Sequence, residues 1–315
     1  MAQIGHNFGL VANWIIQSDF VREMLEDSKY LEKLVILTQG LDKESITTIY
    51  RVLSRLKQAV CNGQNITQLN AEEITMLNRI HTEFYPNIFE IAPNALYYYD
   101  GYYLPIPAFH ESVFWYRLGL SERGGGAIFD LKALQDKDII DVGAYIGDSA
   151  LILQEYTRKK VYAFEAVKSN YQTMLQTIKL NACKRIVPIN KGLGAKNSVE
   201  KISTQGAGSS IVLPNNNLFE EVEIIPLDSY VKEKKLKIGF IKVDIEGFEQ
   251  EFLKGAKETI MKQKPAMLIS LYHKYSDFFD IKPMIDSWNL GYKFKVVKPI
   301  DHNVSGETAL YCEVR

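Results

Sequence analysis

The sequence predicts an α/β protein with a mostly parallel β-sheet, helices on both faces of the sheet and a helical segment in front of it. Three observations support this fold class. Beyond Asp136, strand-like and helix-like segments alternate, as they do in parallel sheets with crossover helices. The stretch from Asp19 to about Ile80 instead carries apolar residues at helical spacing. At the end of the chain, two strand-like segments follow each other without an intervening helix.

The N-terminal stretch predicts three helices, because its apolar residues recur every three or four positions and glycines interrupt the pattern. Val21, Met24 and Leu25 illustrate the spacing, and Gly40 and Gly63 mark the breaks. The apolar stripes exceed what a small cap over a second domain requires. We therefore expect these helices to form a homodimer contact as well.

Two aromatic runs around Asp100-Gly101 follow the helices, within residues 96–104. Asp-Gly is a preferred pair for a two-residue type I′ turn, so this segment predicts a β-hairpin. Tyrosines at these positions indicate strand packing rather than a ligand-stacking surface. We place a domain boundary just before the hairpin, with a helical domain over residues 1–93 and a second domain over residues 94–315.

The strands and helices of the second domain follow from runs of apolar residues and the polar or glycine-rich breaks between them. The last two strands are joined by a polar loop and are expected to be antiparallel neighbours. The predicted strands are 139–142, 161–164, 186–190, 238–243, 266–271, 292–298 and 309–314, with helices at 149–156 and 169–180.

The segment DIIDVGAYIGDS, residues 138–149, predicts a ligand-binding turn after the first of these strands. Glycines at such a turn let the backbone approach a nucleotide-like ligand, and Glu165, predicted as an exposed carboxylate at the tip of the next strand, is placed to bind ribose hydroxyls. Tyr145 occupies the position of the middle glycine in the dinucleotide fingerprint, and this departure argues against a ligand that contains a pyrophosphate. Asp141 and Asp148 would repel phosphate and attract a cation. These features point to S-adenosylmethionine.

The other strand ends are also polar. Asn190-Lys191 follows the third strand, and Asp244 follows the fourth, with Glu246 and Glu249 close behind. Because ligands of open parallel sheets bind beyond the carboxyl ends of the strands, we expect these side chains to share one cleft. Any one of them alone would be explained by contact with solvent.

Composition narrows the function classes. Among 315 residues, 37 basic and 38 acidic side chains give a formal net charge of -1, which disfavours nucleic acid and anionic membranes as partners. Three scattered cysteines indicate neither a disulfide framework nor a cysteine metal site. The N-terminus lacks the pattern of a signal peptide, and no stretch is long and apolar enough to span a membrane. A cytoplasmic location fits these features.

Several segments resemble the FkbM family of methyltransferases: DIIDVGAYIGDSAL, VYAFEAV, LDSY and IGFIKVDIEGFEQEFLKGA. The resemblance covers about the second half of the chain and implies a class I methyltransferase fold, Rossmann-like, with seven strands and an antiparallel last strand. It also implies transfer of a methyl group from S-adenosylmethionine to a hydroxyl of a sugar or natural product. The helical segment lies outside it.

Carried onto this chain, the resemblance places the methionine end of the cofactor near Asp141, Gly143 and Gly147, the ribose on Glu165 and the adenine near Asn190. Asp244 would lie beside the sulfonium and either orient the substrate hydroxyl, accept its proton or help hold a divalent ion, although nothing in the sequence indicates a metal. The expected cofactor contacts are Asp141, Gly143, Ala144, Tyr145, Gly147, Asp148, Ser149, Glu165, Asn190, Lys191 and Asp244.

The catalytic candidates are Asp244, Glu246 and His273, because a weakly nucleophilic hydroxyl must lose its proton as it attacks the methyl group. Glu246 can equally be a helix-start carboxylate and His273 a structural histidine. His110 and the segment 206–210 are weaker candidates for the walls of the pocket.

Two other functions fit parts of the pattern. A nicotinamide-dependent oxidoreductase would use the same kind of sheet, but Tyr145 at the position of the middle glycine argues against this function. A non-catalytic binding or assembly protein would keep the sheet, yet acidic residues at Asp141, Glu165 and Asp244 count against loss of the site. The expected partner is therefore a small-molecule or carbohydrate acceptor.

Overall fold

The structure is a computed structural model that describes residue 10 and residues 14–63, 65–92, 96–121, 130–203 and 219–314. The candidate wall segment 206–210 lies outside these residues.

A seven-stranded sheet forms the centre of the molecule, in the order β12-β13-β11-β10-β4-β5-β6. Only β13 runs against the others: it pairs antiparallel with both β11 and β12. The strands are β4 (Asp138–Val142), β5 (Val161–Phe164), β6 (Ile186–Ile189), β10 (Ile238–Val243), β11 (Ala266–Ser270), β12 (Tyr292–Val297) and β13 (Ala309–Val314). The predicted class I methyltransferase sheet, with its antiparallel last strand, is confirmed.

Helices cover both faces of this sheet, and for that reason its central strands carry continuous apolar runs. All six residues of β10 and all five of β11 are buried. The covering helices are α5 (Asp148–Leu153), α6 (Lys168–Leu180), α7 (Leu227–Lys234), α8 (Glu249–Gly255), α9 (Lys257–Gln263) and α10 (Tyr275–Asp286). A second sheet of three short strands, β7 (Gly192–Leu193), β8 (Ser198–Ser203) and β9 (Phe219–Ile225), lies beyond β6 in the chain.

Within the described residues, four helices precede the sheet, so the prediction of three is wrong. They are α1 (Trp14–Glu26), α2 (Tyr30–Thr38), α3 (Lys43–Asn62) and α4 (Ala71–Arg79). The missed break lies between α1 and α2, where the side chain of Asp27 accepts a hydrogen bond from the backbone amide of Lys29 at 2.7 Å. A side chain that bonds to nearby backbone in this way favours a turn over helix.

The four helices share a hydrophobic core with the sheet. Phe20 of α1 contacts the rings of Tyr275 and Phe278 on α10, each edge to face at 5.6 Å. The hydroxyl of Ser45 on α3 accepts a hydrogen bond from the amide of Val296 on β12 at 3.0 Å. The stripes are therefore used in part inside the chain, whereas Leu25, Leu31 and Val35 remain exposed. The predicted homodimer stays a prediction.

The tyrosine hairpin is confirmed, and a third strand extends it. β1 (Phe89–Ala92) and β3 (Tyr102–Leu104) flank β2 (Leu96–Tyr99) in an antiparallel sheet. Asp100 and Gly101 have φ angles of 47° and 90°, the two positive values that a type I′ turn requires. Because β1 pairs with β2, the predicted boundary at residue 93 falls between two paired strands, and the domain division stays a prediction.

Short π-helical and 3₁₀ turns connect the hairpin to the sheet. They include a π-helical turn, Glu111–Trp115, and a 3₁₀ turn, Arg117–Gly119. The amide of Ser112 donates a hydrogen bond to Nδ1 of His110 at 3.2 Å, so His110 caps this turn. Further short turns are Ile80–Phe84, Tyr85–Asn87, Leu131–Leu134 and Gln154–Tyr156.

Among the helices that the structure describes, none combines the length and the apolar character needed to cross a membrane.

Candidate active site

A cavity of about 710 Å³ opens at the carboxyl ends of β4, β5, β10 and β11. This is the edge at which ligands of open parallel sheets bind. The predicted site residues on its wall are Gly143, Tyr145, Asp148, Ser149, Glu165, Asp244, Glu246 and His273. The structure therefore brings most of the predicted residues together.

The glycine turn after β4 exists because two backbone segments approach each other closely there. Gly143 has φ 77°, and a Cβ atom at this position would lie 1.9 Å from the carbonyl oxygen of Asp244. The amides of Gly143 and Ala144 both donate hydrogen bonds to the carbonyl oxygen of Phe164, at 3.0 and 2.9 Å. The turn thus holds the ends of β4, β5 and β10 in a fixed arrangement.

We expect Gly143→Ala to lower the free energy of unfolding by about 2–5 kcal/mol. The added methyl group would clash with the carbonyl oxygen of Asp244, and a residue with a Cβ atom is also strained in the left-handed conformation of this position. Gly40→Ala is the matched control, because Gly40 has φ 75° and no described atom within 4 Å of its would-be Cβ. That variant should lose only the backbone contribution of about 1–2 kcal/mol. Urea denaturation measures both. Equal losses in the two variants would show that the close approach to Asp244 is unimportant.

Glu165 is a buried carboxylate, not the exposed one that the sequence predicted, with only 7% of its surface accessible. One carboxylate oxygen accepts a hydrogen bond from the amide of Tyr145 and the other from the amide of Val167, both at 2.8 Å. Burial raises the pKa of Glu165 to about 7, against the lowering effect of these amides. A carboxylate can accept about four hydrogen bonds, so Glu165 retains acceptor capacity on the cavity side.

Asp141 lies beneath the glycine turn and is not among the described residues that line the cavity. Its carboxylate is fully buried, accepts a hydrogen bond from the hydroxyl of Ser149 at 2.7 Å and lies 3.4 Å from Nζ of Lys242. Burial raises the pKa of Asp141. Asp141 thus contacts Ser149 and Lys242 from behind the described wall, and its predicted contact with the methionine end of a cofactor stays a prediction.

Lys242 is the buried cation of this region. Its ammonium group donates a hydrogen bond to the carbonyl oxygen of Gly143 at 2.8 Å and lies 4.0 Å from a carboxylate oxygen of Asp244. Burial alone would lower the pKa of Lys242, but Asp141, Asp244 and Asp148 raise it above its ordinary value. Lys242 therefore keeps its charge and links the glycine turn to the end of β10.

Besides Asp141, four predicted cofactor contacts do not line the described part of the cavity. Ala144 and Gly147 are buried within the turn. Asn190 is exposed, and its amide donates hydrogen bonds to the carbonyl oxygens of Glu165 and Ala166 at 2.9 and 3.0 Å. Lys191 forms an ion pair with Glu223. Asn190 thus acts on the backbone beneath Glu165 rather than on the cavity.

His273 is surrounded by carboxylates at the ends of β10 and β11. Its Nε2 atom lies 3.4 Å from Oδ1 of Asp244 and 3.5 Å from Oε2 of Glu246, and its Nδ1 atom lies 2.9 Å from Oε1 of Glu249. Burial lowers the pKa of His273, but the three carboxylates outweigh it and raise the pKa to about 10. The predicted catalytic carboxylates therefore both lie beside His273, and the site favours positive charge.

Glu246 is held in an unusual backbone conformation beside this histidine. Its φ angle is 54°, in the left-handed region, and Gly247 follows with φ 93°. Burial raises the pKa of Glu246 to about 7, against the lowering effect of His273. Since α8 begins at Glu249, Glu246 lies in the turn before the helix and not on it. Strained conformations of this kind are concentrated at functional sites.

Sequence reasoning missed several residues of the described cavity wall. Lys242 carried a signal that could have been used, because it interrupts the apolar strand β10. Glu249, which the sequence predicts in the cleft, lies behind the described wall and contacts His273. Gln17, Tyr272 and Glu307 gave no local signal, because they reach the cavity from α1 and from segments after β11 and β12.

Residues 141–294 match the methyltransferase FkbM domain. The chain is 27% identical over 144 residues to the hexuronic acid methyltransferase AglP of Haloferax volcanii. The matched segment covers 41% of this chain and 54% of that protein. The crystal structure of methyltransferase FkbM from Methylobacillus flagellatus has a TM-score of 0.59 at 22% identity and covers 93% of this chain. The chain spans only 60% of that structure. Through residues 141–294, this protein carries a methyltransferase FkbM domain.

Proposed function

We propose that this protein is an S-adenosylmethionine-dependent O-methyltransferase that acts on a hydroxyl of a sugar, a glycan or another small molecule. The observation that carries the proposal is the position of Glu165. Its carboxylate lies at the end of β5 on the wall of the same cavity as the glycine turn and Asp244. An adenosine ribose at Glu165 would direct the methionine portion of the cofactor toward the turn and the methyl group toward Asp244.

Charge supports a cationic cofactor. The described wall carries the carboxylates of Asp148, Glu165, Asp244, Glu246 and Glu307, which outnumber its basic side chains. A sulfonium and an ammonium group would gain from this field, whereas the pyrophosphate of a nicotinamide dinucleotide would be repelled. Tyr145 also stands where a dinucleotide fold needs its middle glycine.

In the proposed reaction, an oxygen lone pair of the acceptor hydroxyl attacks the methyl carbon. The bond between carbon and sulfur breaks, its electron pair stays on sulfur, and S-adenosylhomocysteine leaves. The hydroxyl proton passes to a base during the transfer, and the carboxylates of Asp244 and Glu246, on either side of His273, are the groups near that position. Asp244 is our first choice, because it directly follows β10 and 28% of its side chain is exposed.

The acceptor is proposed to be a neutral, hydroxyl-rich molecule. AglP, the relative from Haloferax volcanii, is named as a hexuronic acid methyltransferase, which favours a carbohydrate. The excess of carboxylates in the cavity favours an uncharged sugar over an acidic one. Polar side chains of Gln17, Asn303 and Ser305 line the cavity from outside the FkbM domain, and they offer hydrogen-bonding groups to such an acceptor.

We expect S-adenosylhomocysteine to raise the melting temperature of the full chain, because a ligand that binds only the folded state stabilises it. At 100 times the dissociation constant the gain is about 2.7 kcal/mol. Thermal-shift measurements with S-adenosylmethionine, S-adenosylhomocysteine, adenosine and NAD would test this. Stabilisation by NAD alone would favour the oxidoreductase, and no response to any of these ligands would favour a non-catalytic binding protein.

A further inference from the structure

We propose that Gln17 of α1 selects the methyl acceptor: its amide oxygen accepts a hydrogen bond from a second hydroxyl of that molecule. The inference rests on the proposed function and narrows the acceptor to a neutral molecule with at least two hydroxyl groups. One hydroxyl is methylated beside Asp244, and the other binds at the part of the wall formed by Gln17, Asn303 and Ser305. These three side chains lie outside residues 141–294, the matched domain.

The amide oxygen Oε1 of Gln17 is a buried acceptor with no hydrogen-bond partner among the described residues. Only 4% of the residue is exposed, and the side chain contributes to the cavity wall. Buried polar groups are seldom left without a partner, and each exception calls for an explanation. A hydroxyl group of a bound acceptor would supply the missing donor.

The orientation of the Gln17 amide follows from its neighbours. Its Nε2 atom donates hydrogen bonds to Oδ1 of Asn303 at 3.2 Å and to Oγ of Ser305 at 2.7 Å. Oδ1 of Asn303 also accepts hydrogen bonds from the backbone amides of Ser305 and Gly306, at 3.0 and 2.8 Å, so this atom is an oxygen. The atom of Gln17 that faces it is therefore the NH₂ group, and the other amide atom of Gln17 is an acceptor.

Packing on both sides holds this amide at the cavity. Phe20 lies three positions after Gln17, on the same face of α1, and its ring contacts Tyr275 and Phe278 edge to face. In the loop that carries Ser305, the hydroxyl of Thr308 donates a hydrogen bond to the carbonyl oxygen of Ser305 at 2.6 Å. The amide oxygen is thus positioned before an acceptor arrives, which reduces the ordering cost of binding.

The chemistry of this part of the wall matches a hydroxyl group. Gln17, Asn303 and Ser305 are uncharged, and Oε1 of Gln17 can only accept a hydrogen bond. The hydroxyl of Ser305, whose oxygen accepts a bond from Gln17, keeps its own proton to donate. A carboxylate has no proton for Oε1, and an ammonium group cannot accept one from Ser305. A hydroxyl group does both, so the pair favours an uncharged polyol or sugar.

The test measures how methyl glycosides of glucose, galactose and mannose bind to the full chain saturated with S-adenosylhomocysteine, by NMR titration. We expect at least one of the three to bind. Gln17→Met keeps the length of the side chain and removes the acceptor oxygen. It should weaken that binding by about 5- to 100-fold, the cost of leaving one hydrogen-bonding group without its partner. Affinity for S-adenosylhomocysteine should equal that of the parent.

Ser45→Ala is the matched control, because Ser45 also ties the N-terminal helices to the sheet. Its hydroxyl accepts a hydrogen bond from the amide of Val296 at 3.0 Å, away from the described cavity wall. Both variants should lower the free energy of unfolding. Only Gln17→Met should weaken glycoside binding, whereas a purely structural Gln17 would leave the two variants alike.

Singly deoxygenated analogues of the bound glycoside identify the second hydroxyl. In the parent chain, one analogue should bind less tightly than the complete glycoside by a similar factor. In Gln17→Met the two should bind equally, because the substitution and the deoxygenation remove the same hydrogen bond. If Gln17→Met fails to fold, the series measured on the parent chain still decides.

Three outcomes would overturn the proposal: no glycoside of the three bound by the parent chain, parental affinity in Gln17→Met, or no deoxygenated analogue with weakened binding. The proposed function survives each of them as long as S-adenosylhomocysteine stabilises the chain. That stabilisation is measured without an acceptor, so its absence would contradict the proposed function separately.

Discussion

Asp244→Asn is expected to reduce the rate of methyl transfer by about 10²–10⁴, the usual cost of removing a positioned acid or base, while binding of S-adenosylhomocysteine is retained. The side chain directly follows β10, lies 3.4 Å from Nε2 of His273 and accepts a hydrogen bond from the hydroxyl of Tyr272 at 3.3 Å. Asparagine keeps the shape of the side chain and removes its charge. Lys242 retains Asp141 as its partner, so the fold should persist.

The measurement requires an acceptor, which a screen of sugars, nucleotide sugars and glycans with a labelled methyl donor would supply. Asp138→Asn is the matched control, because Asp138 begins β4 at the opposite edge of the same sheet and bonds there to the amide of Lys160. It should transfer methyl groups at the parental rate. If Asp244→Asn also does so, Glu246 or His273 becomes the residue to test. If the variant also loses the ability to bind S-adenosylhomocysteine, Asp244 belongs to the sulfonium pocket.

The sheet and the edge that carries the site could be predicted from the sequence, because both follow from local patterns. A strand buried on both faces needs an unbroken apolar run, as in β10 and β11. Parallel strands then place their carboxyl ends at one edge, which brings Glu165 and Asp244 to the same cavity. Nothing beyond strand boundaries and strand direction is required for this step.

The direction of each side chain could not be predicted, because it depends on register and on distant segments. Asp141 and Lys242 are direct partners across β4 and β10, and this pairing turns the Asp141 carboxylate into the interior. Gln17 reaches the cavity through hydrogen bonds from its amide to Asn303 and Ser305 at 3.2 and 2.7 Å. These residues are far apart in sequence, and no short-range pattern reports their contact.

The burial of Glu165 changes how its role should be tested. Because its two oxygens accept hydrogen bonds from the amides of Tyr145 and Val167, replacement by alanine removes these two hydrogen bonds together with the expected ligand contact. For an exposed carboxylate, as the sequence predicts, alanine would remove the ligand contact alone. Glu165→Gln keeps the volume and one acceptor oxygen, and it is therefore the better substitution.

We expect Glu165→Gln to weaken the binding of S-adenosylhomocysteine by about 10- to 150-fold, which corresponds to one charge-assisted hydrogen bond of about 1.5–3 kcal/mol. The carboxylate accepts ribose hydroxyls well because it is charged, and the amide replaces one acceptor oxygen by a donor. Isothermal titration calorimetry on the parent and the variant measures the difference. The free energy of unfolding, from urea denaturation, shows how much stability the same substitution removes.

Asp228→Asn separates these two effects. The carboxylate of Asp228 also accepts hydrogen bonds from two backbone amides, those of Glu258 and Thr259, at 3.0 and 2.7 Å. Asp228 lies away from the described cavity wall. Both variants should lose stability, since each leaves an amide facing the new NH₂ group. Only Glu165→Gln should lose affinity, because only Glu165 can reach the ribose. Equal affinity in the parent and Glu165→Gln would remove Glu165 from the cofactor site, and with it the observation on which the proposed function rests.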